Sequence, residues 1–485
     1  MPINHNIIKS QIIFFYFGLT RKREIKDLET LSHSLNEILN LLKTLLYDCD
    51  DTKEIDIYVS YFILLYKLIA YTRDINGGKG ERDLTYMMID IWYQHFPILA
   101  KNMLKIIPEN YGSWKDLKYF CKYTKHTECI DYCIELWNIQ LEKDIQNQCQ
   151  TISYVSKWIP REKSAFGWLF EKSALEWQTR QYSTDPKKEY RKILSLLNQR
   201  LNTPQIKETE RKWSEIIPER TSVTTRSKQY HTFINTNQKL QKERIQCQYN
   251  FERYYNNNNN TQSKSKSKSF HLGEYIKNPH IQNQKYWNEI KKDILYSNHK
   301  PKYLLPIVNI SIPTCGLEDA IGIGCMISEI SAIKNRIVVY DQNATWLNLT
   351  GLDLAMKIKK IKERRIMEGK SNLSNAIQLI QSTNIDISNT ILVIISDFST
   401  ETYDTLELQN KIIYWNIGSK PPIYQQIPEQ SICISGTSSS ILHLFPFKPT
   451  ITVTNDSFET YSFINHLVNH PKYVKVEEFF QQKIK

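Results

Sequence analysis

The segment "TILVIISDF" carries five consecutive aliphatic side chains, Ile391 to Ile395, and then stops on Ser396 and Asp397. A strand apolar on both faces has no side to give to water, so helices must cover it above and below. Its surroundings agree. After Pro306 the chain alternates β-branched runs with helical spacing: "PIVNIS" and "NRIVVYD" read as strands, with "EDAIGIGCMISEIS" between them as a helix. "NLSNAIQLIQ" is a helix ahead of the buried strand, "KIIYWNIG" and "SICIS" continue the alternation, and "SFINHLV" closes it as a helix. Such βαβ alternation predicts a doubly wound parallel sheet that binds its ligands at the carboxyl ends of the strands. Ser311 and Asp397 fall at those ends.

The front of the chain has a different period. Leu28, Leu31, Leu35, Ile38, Leu39, Leu42 and Leu45, then Ile57, Val59, Phe62, Leu65, Leu68 and Ile69, recur at helical spacing. Short Gly, Pro or Asn breaks separate such segments up to about residue 200, which describes stacked helix pairs in a solenoid-like array. Near residue 236 the composition shifts toward an Asn tract, Asn256 to Asn260, and a Ser-Lys alternation, Ser263 to Ser269. A low-complexity stretch of this kind buries too little apolar surface to offset its ordering entropy and reads as a tether. The expected plan is multidomain, α plus α/β: a helical array over 1–235, a tether over 236–285 and an α/β domain over 286–485.

Charge follows the same division. The formal net charge of the 485 residues is +12, yet residues 301–485 hold 17 basic and 17 acidic side chains, while 1–300 hold 46 and 34. A basic half beside a neutral one is the footprint of a polyanion-binding module, or of a solvated lysine-rich surface. Nine cysteines without a Cys-x-x-Cys pair argue against a disulfide framework and a zinc ribbon. Cys129 and Cys133 share a helix face near His126, without an evident fourth ligand for zinc. The apolar run Ile12 to Leu19 lacks a signal-peptide cleavage site, and no stretch approaches the roughly 20 apolar residues of a membrane helix, so a soluble, intracellular, cytoplasmic protein is expected.

Two basic motifs stand out. "YTRDINGGKGERDL" contains Gly-Gly-Lys, but a phosphate loop requires glycine where Arg73 stands and Ser or Thr where Gly80 stands. It reads better as a turn between helices in which Gly77, Gly78 and Gly80 accept positive φ and Arg73, Lys79 and Arg82 gather. Those cations either clamp phosphates or pair with Asp74, Glu81 and Asp83. In "KWIPREKSAFGWLFEK", Lys157, Arg161 and Lys163 stand beside Trp158, Phe166 and Trp168, the mixture that grips a single strand by phosphate contact and stacking. The other reading is aromatics in the core and charges in water.

At the sheet edge, "NISIP" offers Asn309 and Ser311, "GKSNLSNA" offers Ser371 and "IISDFS" offers Asp397. Compared with the Asp-x-Ser-x-Ser cation loop of von Willebrand type, Asn309 replaces a carboxylate and Pro313 replaces a hydroxyl. Mg²⁺ wants six oxygens in octahedral array, so this is a weakened Mg²⁺ site, and a metal-free relic loop is the competing reading. No nucleophile stands beside a base in a recognisable elbow, so enzymatic activity gains no positive support.

In order along the chain, "YTRDINGGKGERDL", "IPENYGSWKDL", "KWIPREKS", "YRKILSLLNQRLN" and "EIIPERTSVTTRSKQYHTF", then "NISIPTCGLEDAIGIGCMISEI", "GKSNLSNAIQLI" and "IISDFS", resemble the DUF2828 family of plants and large DNA viruses. That family is distantly similar to the TROVE module plus von Willebrand factor A arrangement of the Ro ribonucleoprotein autoantigen. The resemblance covers roughly residues 25–480 apart from the tether, and the Asn tract and Lys/Ile bias suit a viral member. It implies a HEAT-like helical array that binds RNA and a von Willebrand factor A-like domain that binds protein, with the departures at Asn309 and Pro313 weighing against cation-dependent adhesion. The expectation is therefore a non-enzymatic binder of RNA or a ribonucleoprotein, contacting phosphates through Arg73, Lys79, Arg82, Lys157, Arg161 and Lys163 and bases through Trp158 and Trp168. A protein adaptor without nucleic acid, and a Mg²⁺-dependent hydrolase built on Asp397, are the alternatives.

Overall fold

The computed structural model describes residues 5–484 apart from 22–23, 148–150, 182–184, 223–224, 227–228, 258–271, 278–280, 298–302, 367–370, 384–388, 399–409, 420–430 and 445–458. Its helices run α1 His5–Gly18, α2 Ile25–Tyr47, α3 Thr52–Arg73, α4 Asp83–His95, α5 Pro97–Ile106, α6 Lys115–Tyr123, α7 Thr127–Gln146, α8 Val155–Trp158, α9 Gly167–Gln181 and α10 Pro186–Leu201. They continue with α11 Pro204–Thr209, α12 Tyr230–Phe233, α13 Lys242–Asn257, α14 Leu272–Lys277, α15 Ile281–Ser297, α16 Thr314–Ile330, α17 Leu354–Lys362, α18 Leu373–Gln381, α19 Thr460–Val468 and α20 Val474–Ile484.

Six strands, β1 Leu304–Asn309, β2 Arg336–Tyr340, β3 Ala344–Asn348, β4 Ile391–Ser396, β5 Ile412–Asn416 and β6 Ser431–Ser435, form one sheet in the order β3-β2-β1-β4-β5-β6. All pairs are parallel except β2 with β3, where Arg336 faces Asn348 in antiparallel register. The sheet is thus mixed, which corrects the all-parallel expectation. Asp341 makes the difference: its carboxylate accepts the Asn343 N–H at 2.9 Å and closes a tight turn after β2. On one face Leu305, Ile307, Leu392 and Ile394 pack with Leu373, Ala376 and Ile377 of α18. On the other, α16 lies so close to β1 that a Cβ on Gly324 would stand 2.5 Å from Val308.

The chain divides into two compact units, Met1–Gly112 with Ser267–Lys485, and Ser113–Lys266. This corrects the expected boundaries. The first five helices belong with the sheet, because α3 is buried over most of its length and packs against both C-terminal helices. Lys67 of α3, 2% exposed, donates to Asn469 at 2.9 Å and pairs with Glu477 of α20. By composition α3 is also long and apolar enough to cross a membrane, and 67% of its most apolar window is buried inside the protein.

The expected tether is also shorter than 236–285. Cys247, Phe251 and Tyr255 stand four residues apart on α13 and form a core with Ile216 and Phe233. The Asn and Ser-Lys runs mostly lie outside the described residues. In the Ser113–Lys266 unit a buried Asn138 joins three helices: its amide donates to the Ser173 carbonyl at 2.9 Å, and its oxygen accepts from Tyr190 OH at 2.6 Å. Asp185 starts α10 by accepting the Lys188 N–H at 3.1 Å, and Asn202 ends it in the left-handed region at φ 46°.

Candidate nucleic-acid interface

"GSWKDLKYFCK" starts α6 with Asp116 reaching back to accept the Ser113 N–H at 2.7 Å, while the Asp116 N–H donates to the Ser113 carbonyl at 2.8 Å. Leu117, Phe120 and Cys121 then face the core, and α6 packs on α7. Spacing of three and four residues leaves Lys115, Lys118, Tyr119 and Lys122 on the other side of the helix. The segment after α8 comes up beside that side. Phe166 meets Tyr119 edge-on at 5.5 Å, with the Lys118 ammonium 4.9 Å and the Lys122 ammonium 6.0 Å from its ring centre. The Lys115 ammonium lies 5.1 Å from the Trp158 ring and 5.2 Å from Tyr119, and Lys157 lies 5.6 Å from Trp158.

Four ammonium groups and three aromatic rings therefore share one surface. Partial burial lowers the pKa values of Lys118 and Lys157. Both ammoniums have shed some water, so a phosphate reaching them meets a weaker desolvation cost than at a fully hydrated lysine. Lys157 also donates to Gln205 at 3.1 Å, which steadies it. Arg161 and Lys163 are exposed on the turn that follows and carry no ion pair among the described residues. Ser164 holds that turn by donating its N–H to the Arg161 carbonyl at 3.0 Å. Trp168, 42% exposed, begins α9 just beyond.

The surface is set in a basic unit. Residues 113–266 hold 27 Lys and Arg against 17 Asp and Glu, so nearly all of the +12 of the chain resides there. Lys157, Trp158, Arg161, Lys163 and Trp168 were expected site residues and lie in this unit. Lys115, Lys118, Lys122 and Tyr119 were missed, although their i, i+3, i+4, i+7 spacing was a legible signal of one helix face.

The other basic motif has a different place. Lys79 is 0% exposed, Arg73 is 4% exposed and Arg82 is half-buried at the start of α4, all in the unit that contains the sheet. The Lys79 ammonium donates to the Leu19 carbonyl at 2.8 Å and to Ser435 Oγ at the carboxyl end of β6, and it lies 4.3 Å from the Tyr16 ring. This corrects the expectation of a phosphate clamp at Lys79 and Arg73, since burial takes both away from an external polyanion. The acids pair elsewhere too: Asp74 accepts from Tyr473 OH at 2.8 Å and pairs with Lys472, while Glu81 meets Arg21 at 3.2 Å. Of the glycines, Gly80 has positive φ, at 71°, whereas Gly78 is required because a Cβ would stand 2.0 Å from the Tyr71 carbonyl oxygen.

α1 covers the same edge of the sheet. Asn416 donates to the Phe17 carbonyl at 2.8 Å, Ser435 Oγ donates to the Tyr16 carbonyl at 2.6 Å, and Phe17 packs on Phe398. Toward β1 and β4, Asn309 accepts from the Ser311 N–H at 2.9 Å and from Ser311 Oγ at 2.8 Å, and its amide donates to Ser396 Oγ at 3.0 Å. Asn309 and Ser311 are buried, and Asp397 and Ser371 are half-buried nearby in sequence to these groups or to Asn372. With Asn309 engaged on both sides, Asp397 is the one carboxylate of the expected set, a poor match for the oxygen-rich shell of Mg²⁺. Among the described residues, no group of three or more His, Cys, Asp or Glu is disposed to hold a metal.

A helical chain carrying a mixed six-stranded sheet flanked by helices is the class these observations define. It is 21% identical over 421 residues to an uncharacterized protein, L728, of Acanthamoeba polyphaga mimivirus, covering 79% of this chain and 68% of that protein. No family model and no solved structure matches it.

Proposed function

We propose that residues 113–266 bind single-stranded RNA through the α6 surface, and that the sheet-containing unit is von Willebrand factor A-like and serves to bind a protein. The observation that carries the RNA reading is the sharing of one surface by Lys115, Lys118, Lys122 and Lys157 with Tyr119, Trp158 and Phe166. Ammonium groups attract phosphates, and rings offer faces to unstacked bases, so the pairing suits a single strand better than a duplex. The strand order β3-β2-β1-β4-β5-β6 with an antiparallel β3 supports the second half of the proposal. The hydrogen-bonded Asn309, Ser311 and Ser396 favour a role without Mg²⁺ and without catalysis.

The test is fluorescence-polarisation binding to a mixed-sequence single-stranded RNA from low to near-physiological salt. Wild-type affinity should fall steeply with salt. Replacing Lys115 and Lys118 together by alanine should weaken binding roughly tenfold and flatten the log–log salt slope by about 1.4, the value for two phosphate contacts on a single strand. An unchanged slope in that variant removes the surface from the proposal. No binding at any salt would remove RNA altogether, leaving a protein adaptor.

A further inference from the structure

The segment "WSEIIPERT" lies against α13 over a small core of Ile216, Phe233, Cys247, Phe251 and Tyr255, in which Phe233 and Phe251 stack at 4.3 Å. A cleft of about 390 Å³ opens between the two, walled by Ile217, Pro218 and Glu219 on one side and by Asn250, Arg253 and Tyr254 on the other. Its walls are unlike one another in chemistry. Ile217 and Pro218 are apolar, and the Tyr254 ring is held 5.0 Å from the Arg226 guanidinium. Arg226 is itself buried and fixed, donating to the Pro218 carbonyl at 2.7 Å and the Thr221 carbonyl at 2.6 Å. Asn250 donates to the Ser214 carbonyl at 3.0 Å, which keeps α13 in register with the opposite wall.

Arg253 and Glu219, both exposed, line this one cleft with opposite charges and make no ion pair among the described residues. Charges of opposite sign on the walls of one cleft call for a ligand with an anionic end and a hydrogen-bond-donating end. An acidic peptide answers Arg253 but is repelled by Glu219. A nucleotide answers both: phosphate to Arg253, base between the Tyr254 ring and the Ile217–Pro218 wall, and base N–H groups to the Glu219 carboxylate. Guanine fits that carboxylate best, because its N1–H and exocyclic N2–H point the same way and meet two oxygens, while uracil offers one N–H flanked by repelling carbonyls.

We propose that this cleft is a single-nucleotide subsite selective for guanine, with Arg253 on the phosphate, Tyr254 on the base face and Glu219 on the base edge. The proposal deepens the RNA reading and rests on it for the source of the nucleotide, an unpaired guanosine of the bound strand.

The experiment uses the full chain and free nucleotides, with ligand-observed NMR titrations of GMP and UMP. GMP should saturate, and UMP should bind at least about tenfold more weakly. Arg253→Gln should lower GMP affinity about tenfold, and Glu219→Gln should erase the preference over UMP while retaining binding; both positions are exposed, so the variants fold. Equal GMP and UMP affinity, or wild-type behaviour in both variants, overturns the subsite. The RNA reading is judged separately, by the Lys115→Ala, Lys118→Ala variant. GMP selectivity in a protein that binds no RNA would keep the subsite and defeat that reading. Salt-sensitive RNA binding with no GMP selectivity would do the reverse.

Discussion

Lys79 has no exposed surface, and every donor it is seen to use goes to a neighbour far away in sequence, Ser435, or to the carbonyl groups at the end of α1. A buried ammonium survives only if paired or fully hydrogen-bonded, and helix-end carbonyls supply negative potential as well as acceptors. Lys79→Ala leaves Ser435 and the Leu19 carbonyl short of a donor at the carboxyl edge of the sheet. It should lower the unfolding free energy of the unit by about 2–3 kcal/mol and leave the RNA affinity of the α6 surface unchanged. Urea denaturation beside RNA titration checks both halves; a wild-type midpoint with weakened RNA binding would return Lys79 to the phosphate-contact role. The glycines around it were legible in the sequence as a turn. Ser435 was not, because nothing local ties it to a lysine that precedes it by 356 positions.

At the scale of elements, one carboxylate binds three helices together. Glu329 of α16, with a side chain 6% exposed, accepts from Lys357 of α17 at 2.7 Å, from Lys291 of α15 at 2.9 Å and from Trp287 Nε1 at 3.2 Å. Burial alone would push its pKa up, but the hydrogen bond and charge of Lys357, followed by those of Lys291, outweigh burial and hold it below the usual carboxylate value. Glu329→Gln keeps the shape and strands two cations, so a loss of about 3–5 kcal/mol is expected. Faster amide exchange in α15 than in α18 should accompany it, and uniform exchange would argue against a local clamp. The elements themselves were largely readable where a period persists, as in β4 or α18. They were misread where composition outweighs period. α13 is rich in polar residues and precedes an Asn tract, yet Cys247, Phe251 and Tyr255 carry a helical stripe that fills a core. β3 was overlooked because an edge strand of five residues, in which Leu347 is buried and Asn348 exposed, shows no apolar run.

For the whole molecule, the sequence is least informative about which segments belong together. Period and charge separate a helical, basic front from an α/β back, but the compact units take Met1–Gly112 with the sheet and leave Ser113–Lys266 by itself. The reason is long-range: α1 and the Lys79 loop supply the groups that cap the strand ends, and α3 pairs with α20 through Lys67 and Glu477. Acid should test that assembly. His95, His443 and His470 all belong to the sheet-containing unit, and burial lowers each imidazole below its ordinary value of 6.5. Lys43 lowers His95 further, Asp293 partly offsets the shift at His443, and at His470 Lys472 adds to the lowering while Asp74 opposes it. In the unfolded chain these rings protonate near pH 6.5, in the folded protein only at lower pH, so the unfolded state binds more protons over that interval. Stability should be level above about pH 7 and fall as pH drops below about 6.5. A second loss should set in below about pH 4.5, where Glu329 begins to shed the stability its two lysines confer. Urea midpoints recorded from about pH 8 to about pH 3 read both losses directly. His443→Asn should reduce the first decline while leaving the second in place, and a midpoint that rises on acidification would show that these imidazoles gain, rather than lose, favourable surroundings on folding.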